Sequence, residues 1–202
     1  MGVHRRPHGP GILNRRGDRY FLLQGVTKTG KPKYYVSRKP SGAPVERVPE
    51  GFEIYEEPQR GLVSVRKVRP TRILPQEREQ LAAWTRELAG IEHFRVEVEE
   101  DSLVIYKPAT DPTAAADALD LISDGFPGAA AANREWIGSH ATYLPMLRFT
   151  LVDEKGRLFS VDRWCFLGGI DDWFPLTHGK SLQFLVNKYV PHLNRESFFE
   201  LM

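Results

Sequence analysis

Between Gly61 and Val68 the chain reads GLVSVRKV, with Val63 and Val65 set on one side and Ser64 and Arg66 on the other. A period of two marks a half-buried strand. The same alternation returns at Phe94–Val98 (FRVEV). The polar turn Glu99-Glu100-Asp101 then leads into Leu103–Lys107 (LVIYK), which predicts a hairpin. Asp18–Gln24 (DRYFLLQ) and Lys33–Arg38 (KYYVSR) are rich in aromatic and β-branched residues and flank a Gly/Pro turn at Thr27–Pro32. They read as a second hairpin. Val45–Glu57 turns at Pro49-Glu50-Gly51 and carries Phe52, Ile54 and Tyr55 as apolar anchors. The first 70 residues therefore predict a three- or four-stranded antiparallel meander. A last hairpin is expected from Met146–Val152 and Arg157–Trp164, joined by Asp153-Glu154-Lys155-Gly156.

Elsewhere the apolar spacing changes to that of helices. Leu81, Trp84 and Leu88 stand at i, i+3 and i+7 within Gln76–Ala89, with Pro75 suited to the first turn and Gly90 to the stop. Asp111 and Pro112 open an alanine-rich helix that reaches about Ile122, and Gly125-Phe126-Pro127-Gly128 breaks it. A second helix follows over Ala129–Ile137, and Leu119, Leu121, Ile122, Trp136 and Ile137 give the pair something to bury. Ser181–Tyr189 presents Leu182, Leu185, Val186 and Tyr189 on one face, and Asn194 can cap a short terminal helix. Trp84, Val96, Ile105, Phe149, Trp164 and Leu185 are the expected core. Strands joined by hairpin-length links, with helices interspersed, define an α+β class with mainly antiparallel sheets. The expected organisation is a disordered basic tail over residues 1–16, a small β-rich subdomain over 17–72 and a larger α+β domain over 73–202.

Charge divides the chain in the same place. Up to Arg72 there are 16 Lys/Arg against 6 Asp/Glu, and from Ile73 onward 12 against 20. A basic front and an acidic back either attract a polyanion or neutralise one another across their contact. Cys165 is the sole cysteine, so no internal disulfide forms. No apolar run is long enough for a membrane helix, and the N-terminal stretch lacks the apolar core of a signal peptide. The expected location is cytoplasmic, with no membrane partner.

The motifs that could carry chemistry are few. Gly179-Lys180-Ser181 resembles the end of a phosphate-binding loop, but Phe174 stands where that loop needs a glycine. Asp171, Asp172 and His178, with His192 downstream, hold the residue types of a metal or hydrolytic site in a spacing that fits no ligand pattern. They remain the alternative polar site, that of a hydrolytic enzyme. Cys165 lies between Trp164 and Phe166, the company of a small buried hydrophobe rather than a nucleophile. No motif calls for a cofactor or a bound metal.

The leading reading is non-enzymatic binding of a single strand of nucleic acid, or of another protein, by the basic aromatic front. Arg19, Lys33, Tyr35, Arg38 and Lys39 are its contact residues, with rings to stack on bases and cations to meet phosphates. The apolar C-terminal segment, with Trp173, Phe174, Phe198, Phe199 and Met202, either completes the core or forms a homo-oligomer contact.

Overall fold

The computed structural model describes residues 11–91, 93–122, 129–166 and 171–202. The chain is α+β with antiparallel sheets throughout. Strands β1 (Ile12–Leu13), β2 (Arg19–Val26), β3 (Pro32–Ser37) and β4 (Ala43–Pro44) form one small sheet. In it β2 pairs with β3 on one side and with β1 and β4 on the other. β5 (Phe52–Glu56) and β6 (Val63–Lys67) form a separate hairpin. The single meander expected from the sequence is thus two units, held against each other where the Tyr34 and Phe52 rings meet edge-on at 5.2 Å.

Residues 11–16, read from the sequence as the end of a disordered tail, are built into the fold. Ile12 and Leu13 pair with Tyr20 and Arg19. The buried Asn14 side chain donates to the Gly61 carbonyl at 2.8 Å and accepts from the Asp18 backbone N–H, also at 2.8 Å. Residues 1–10 lie outside the described residues.

Helix α1 (Pro75–Ala89) starts as its sequence predicts, with proline at its first position. The Glu77 carboxylate turns back to accept the Leu74 N–H at 2.9 Å, satisfying one donor of the free N-terminal turn. Gly90 ends the helix at φ 62°, a left-handed stop that a side chain would resist. A five-stranded sheet follows, in the order β11-β10-β9-β8-β7: β7 (Arg95–Glu99), β8 (Ser102–Pro108), β9 (Tyr143–Asp153), β10 (Leu158–Phe166) and β11 (Asp171–Ser181). Between β8 and β9 stand α2 (Pro112–Ile122) and α3 (Ala129–His140). The Asp111 side chain accepts the Thr113 N–H at 2.9 Å, the expected cap. The break expected at Gly125–Gly128 lies outside the described residues. Helix α4 (Leu182–Tyr189) is capped by Ser181, and two 3-10 turns, Val190–His192 and Glu196–Glu200, close the chain.

The core lies on one face of the large sheet. Leu103, Ile105, Leu147, Phe149, Phe159 and Val161 meet Leu81, Leu185, Val186, Tyr189 and Phe198 from the helical side. Val96, Ile105, Phe149 and Leu185 are buried as expected, whereas Trp84 and Trp164 are only half-buried. Trp84 packs one side on the core, and Trp164 lies on the opposite face of the sheet, edge-on to Trp173 at 5.0 Å. Leu119 and Trp136 are exposed rather than buried, because α2 and α3 lean chiefly on each other. The side chains of Leu121 and Ile122 lie outside the described residues.

The free edges of the large sheet are managed. On β7 the Arg78 side chain donates to the Val96 carbonyl at 3.0 Å, and on β11 Pro175, opposite Asp162, carries no N–H to offer a new strand. No helix among the described residues is long and apolar enough to cross a membrane.

Candidate functional site

The β2–β3 hairpin holds the cations singled out from the sequence. Antiparallel register sets Leu23 opposite Tyr35 and Gly25 opposite Lys33, so these four share a face together with Arg19. Arg38 belongs to the other face, where its guanidinium lies 5.5 Å from the centre of the Tyr20 ring and donates to Asp18 at 2.8 Å. Arg19, Lys33, Arg38 and Lys39 are exposed, and Tyr35 is half-buried. The Tyr35 ring rests on Gly25, and a Cβ at Gly42 would come within 2.8 Å of its hydroxyl. Tyr35 therefore roofs the buried Leu23 as well as offering ring surface to solvent. From Arg19 to Val45 the chain carries six Lys/Arg and no Asp/Glu, and all six cations are exposed.

The alternative polar set is not drawn together. Asp171 and Asp172 are exposed at the head of β11, and His178 follows on the same strand, roughly 20 Å away at the rise of an extended chain. His192 lies in the first 3-10 turn, where its Nδ1 is 2.8 Å from the Ser197 hydroxyl. His178 shares a shallow groove of about 270 Å³ with Ser160 and Asp162, but Asp162 is committed to Arg148 at 2.8 Å. No group of three or more His, Cys, Asp or Glu among the described residues is placed to hold a metal ion. Cys165 is half-buried opposite Asp172. Gly179-Lys180-Ser181 ends a strand, and Ser181 accepts the Phe184 N–H as the α4 cap. Of the C-terminal aromatic segment, Phe198 is buried, Trp173 half-buried, and Phe174, Phe199 and Met202 exposed.

What the sequence did not reveal is the seam between the N-terminal strands and the large sheet. A polar cleft of about 680 Å³ opens there, with Tyr55, Arg66, Arg69 and Arg72 on one side and Glu99, Asp101, Tyr106 and Arg148 among the residues on the other. Its arginines are held in place by their neighbours. Arg66 lies 3.6 Å from the centre of the Tyr55 ring and donates through Nε to Glu53 at 2.7 Å. Arg148 lies 4.5 Å from the centre of the Trp173 ring. Arg69 meets Glu100 at 2.9 Å, and Arg72 donates to Asp101 through backbone N–H and Nε, each at 2.9 Å. These bonds hold the Asp101 carboxyl below its usual range.

At the inner end of the seam Arg15 acts as a clamp. Its side chain is only 7% exposed. It donates to Glu56 Oε1 at 3.0 Å and to the carbonyls of Glu57, Gln59 and Ala141 at 3.1, 3.0 and 3.3 Å. The Tyr143 N–H crosses the same boundary to the Gln59 carbonyl at 2.9 Å. The guanidinium carbons of Arg15 and Arg95 lie 5.3 and 5.1 Å from the centre of the Tyr143 ring. Burial, then the charge of Arg95, pull the Arg15 pKa down, with Glu56 opposing. Burial raises Glu97 above the usual carboxylate range, and burial followed by the bond to Glu99 raises the Tyr106 hydroxyl. Sequence reading missed Arg15 because its partners stand as many as 126 positions away. No periodicity or local motif records such a contact.

No family model, no curated protein and no solved structure matches the chain.

Proposed function

We propose that this chain is a non-catalytic binding protein, and that the β2–β3 hairpin contacts the phosphates of single-stranded nucleic acid. The observation that carries the reading is the stretch from Arg19 to Val45, with six exposed cations and no acid. Of these cations only Arg38 has a carboxylate partner among the described residues, Asp18 at 2.8 Å. Phosphate contacts of this kind supply affinity without sequence preference. Arg19, Lys33 and Tyr35 share the contact face, Arg38 and Lys39 extend it around the strand end, and the uncovered part of the Tyr35 ring supplies stacking surface. The test is fluorescence anisotropy with a labelled single-stranded oligonucleotide across a salt series. Expected is binding that weakens with a log–log slope of about −0.7 per phosphate neutralised. Lys33→Gln with Lys39→Gln should weaken binding and flatten the slope, while Tyr35→Phe should leave the slope unchanged. Absence of binding at low salt, where attraction between charges reaches furthest, would end the proposal.

A further inference from the structure

We propose that the turn between β7 and β8 is an internal competitor for this polyanion. Glu100 and Asp101 occupy Arg69 and Arg72, which would otherwise continue the phosphate-binding surface of the hairpin. The inference rests on the reading of the hairpin as a phosphate contact.

Continuity of the basic surface is the first support. Tyr34 and Arg38 share the face opposite to Lys33, so the basic surface runs on from Arg38, where the Tyr34 ring meets Phe52 of the second hairpin at 5.2 Å. Phe52 is the cross-strand partner of Lys67, and Arg69 and Arg72 follow along the chain. Lys33, Lys67, Arg69 and Arg72 are all exposed. The side chains of the first two have no hydrogen bond or ion pair among the described residues, whereas those of the last two are engaged by carboxylates of the large sheet.

The geometry of the competitor is the second support. Asp101 takes both the backbone N–H and the guanidinium of Arg72, as a phosphate with several acceptor oxygens would. The pairs are open to water: the Arg69 and Glu100 side chains are 58% and 70% exposed, those of Arg72 and Asp101 49% and 31%. Pairs this exposed hold weakly enough to be exchanged for another anion.

The backbone of the turn is the third support. Glu100 has φ 54°, a left-handed conformation that glycine or asparagine adopts more readily than glutamate. The turn would form more easily without this side chain, so its carboxylate is present against the local conformational preference.

The test compares the intact chain with the double variant Glu100→Gly, Asp101→Asn, which removes both charges and relaxes the backbone, so loss of folding is not the expected outcome. Binding of a labelled oligothymidylate is followed by anisotropy over a salt series. A control, Glu79→Gln with Glu87→Gln, makes the same charge change on the exposed side of α1. The double variant should bind roughly three- to tenfold more tightly at low salt. Its salt slope should be steeper by about 1.4, the value for two further phosphates. Adding Arg69→Gln and Arg72→Gln should abolish the gain, and the α1 control should show none. Equal affinity and slope in the intact chain and the double variant would overturn the competitor and leave the hairpin reading standing. A gain matched by the α1 control would overturn it as a general charge effect. Absence of binding by every variant would overturn both.

Discussion

Glu97 is a carboxylate held where its charge is disfavoured. It stands on β7 beside Glu99, with Arg95 at 3.9 Å as its ion-pair partner. Burial outweighs that partner, so the folded pKa lies above the unfolded one. A carboxyl raised on folding costs stability above its folded pKa, and the cost disappears as pH falls to the unfolded value. Glu97→Gln should therefore be more stable than the parent near neutral pH, and the two should converge in acid, below about pH 4. Urea midpoints measured at both pH values check this. A variant less stable than the parent at neutral pH would mean that the Arg95 contact outweighs the lost hydration. Tyr106 shows the complementary behaviour: its hydroxyl donates to Glu99, so the bond itself requires that the proton stay.

At the scale of elements, α1 shows how far pattern reading reaches. Leu81 is fully buried, while Trp84 and Leu88 reach the same core from its margin. Leu81→Ala should cost about 2–5 kcal/mol, the range for emptying a closed site. Trp84→Ala should fall below the range of a fully buried tryptophan, since part of its ring is already in water. Denaturant unfolding of both variants gives the comparison, and a Leu81→Ala midpoint unchanged from the parent would contradict the packing. The alternation at Arg95–Glu99 was legible because Val96 and Val98 turn to the core while Arg95, Glu97 and Glu99 share the other, half-buried polar face. Trp164 was misjudged for the same reason that it is large: a wide ring on the open face of a sheet covers its neighbours without being covered itself. In α2 and α3 the apolar residues suggested a buried pair, yet Leu119 and Trp136 are exposed. Periodicity states that a face exists, not what covers it. The candidate cations of the hairpin were legible from composition alone. The seam was not, because it joins Arg15 and Gln59 to Ala141 and Tyr143 through backbone carbonyls and an N–H, groups that every sequence supplies equally.

For the molecule as a whole, that seam decides whether the N-terminal strands and the large sheet behave as one body. Its contacts are mostly polar, and Arg15 is the most deeply buried of its charges, 7% exposed against 26% for Glu56. Gly61 leaves room for it: a Cβ there, at φ 70°, would come within 3.1 Å of the Arg15 guanidinium. Replacing Arg15 by Met leaves Glu56 with only the backbone N–H of residue 15 and takes the guanidinium from the Ala141 carbonyl, while the Glu57 and Gln59 carbonyls keep the N–H groups of Gly61 and Tyr143. The change should cost about 1–3 kcal/mol. Gly61→Ala should lower stability through the same contact, by a smaller amount. Urea unfolding of the two single variants and their combination should show less than additive losses, because both act on one network. Fully additive losses would mean that Gly61 and Arg15 act separately. The clamp also puts a clock on synthesis. Arg15 leaves the ribosome ahead of Ala141, one of its acceptors, which follows 126 positions later. At roughly 5–20 residues per second that interval is about 6–25 s. During it the guanidinium can meet Glu56, Glu57 and Gln59, which follow within 44 positions, but not the large sheet. A nascent chain is thus unclamped from the large sheet over that interval, which makes it the time when a protease or a chaperone meets the N-terminal strands in their least guarded state.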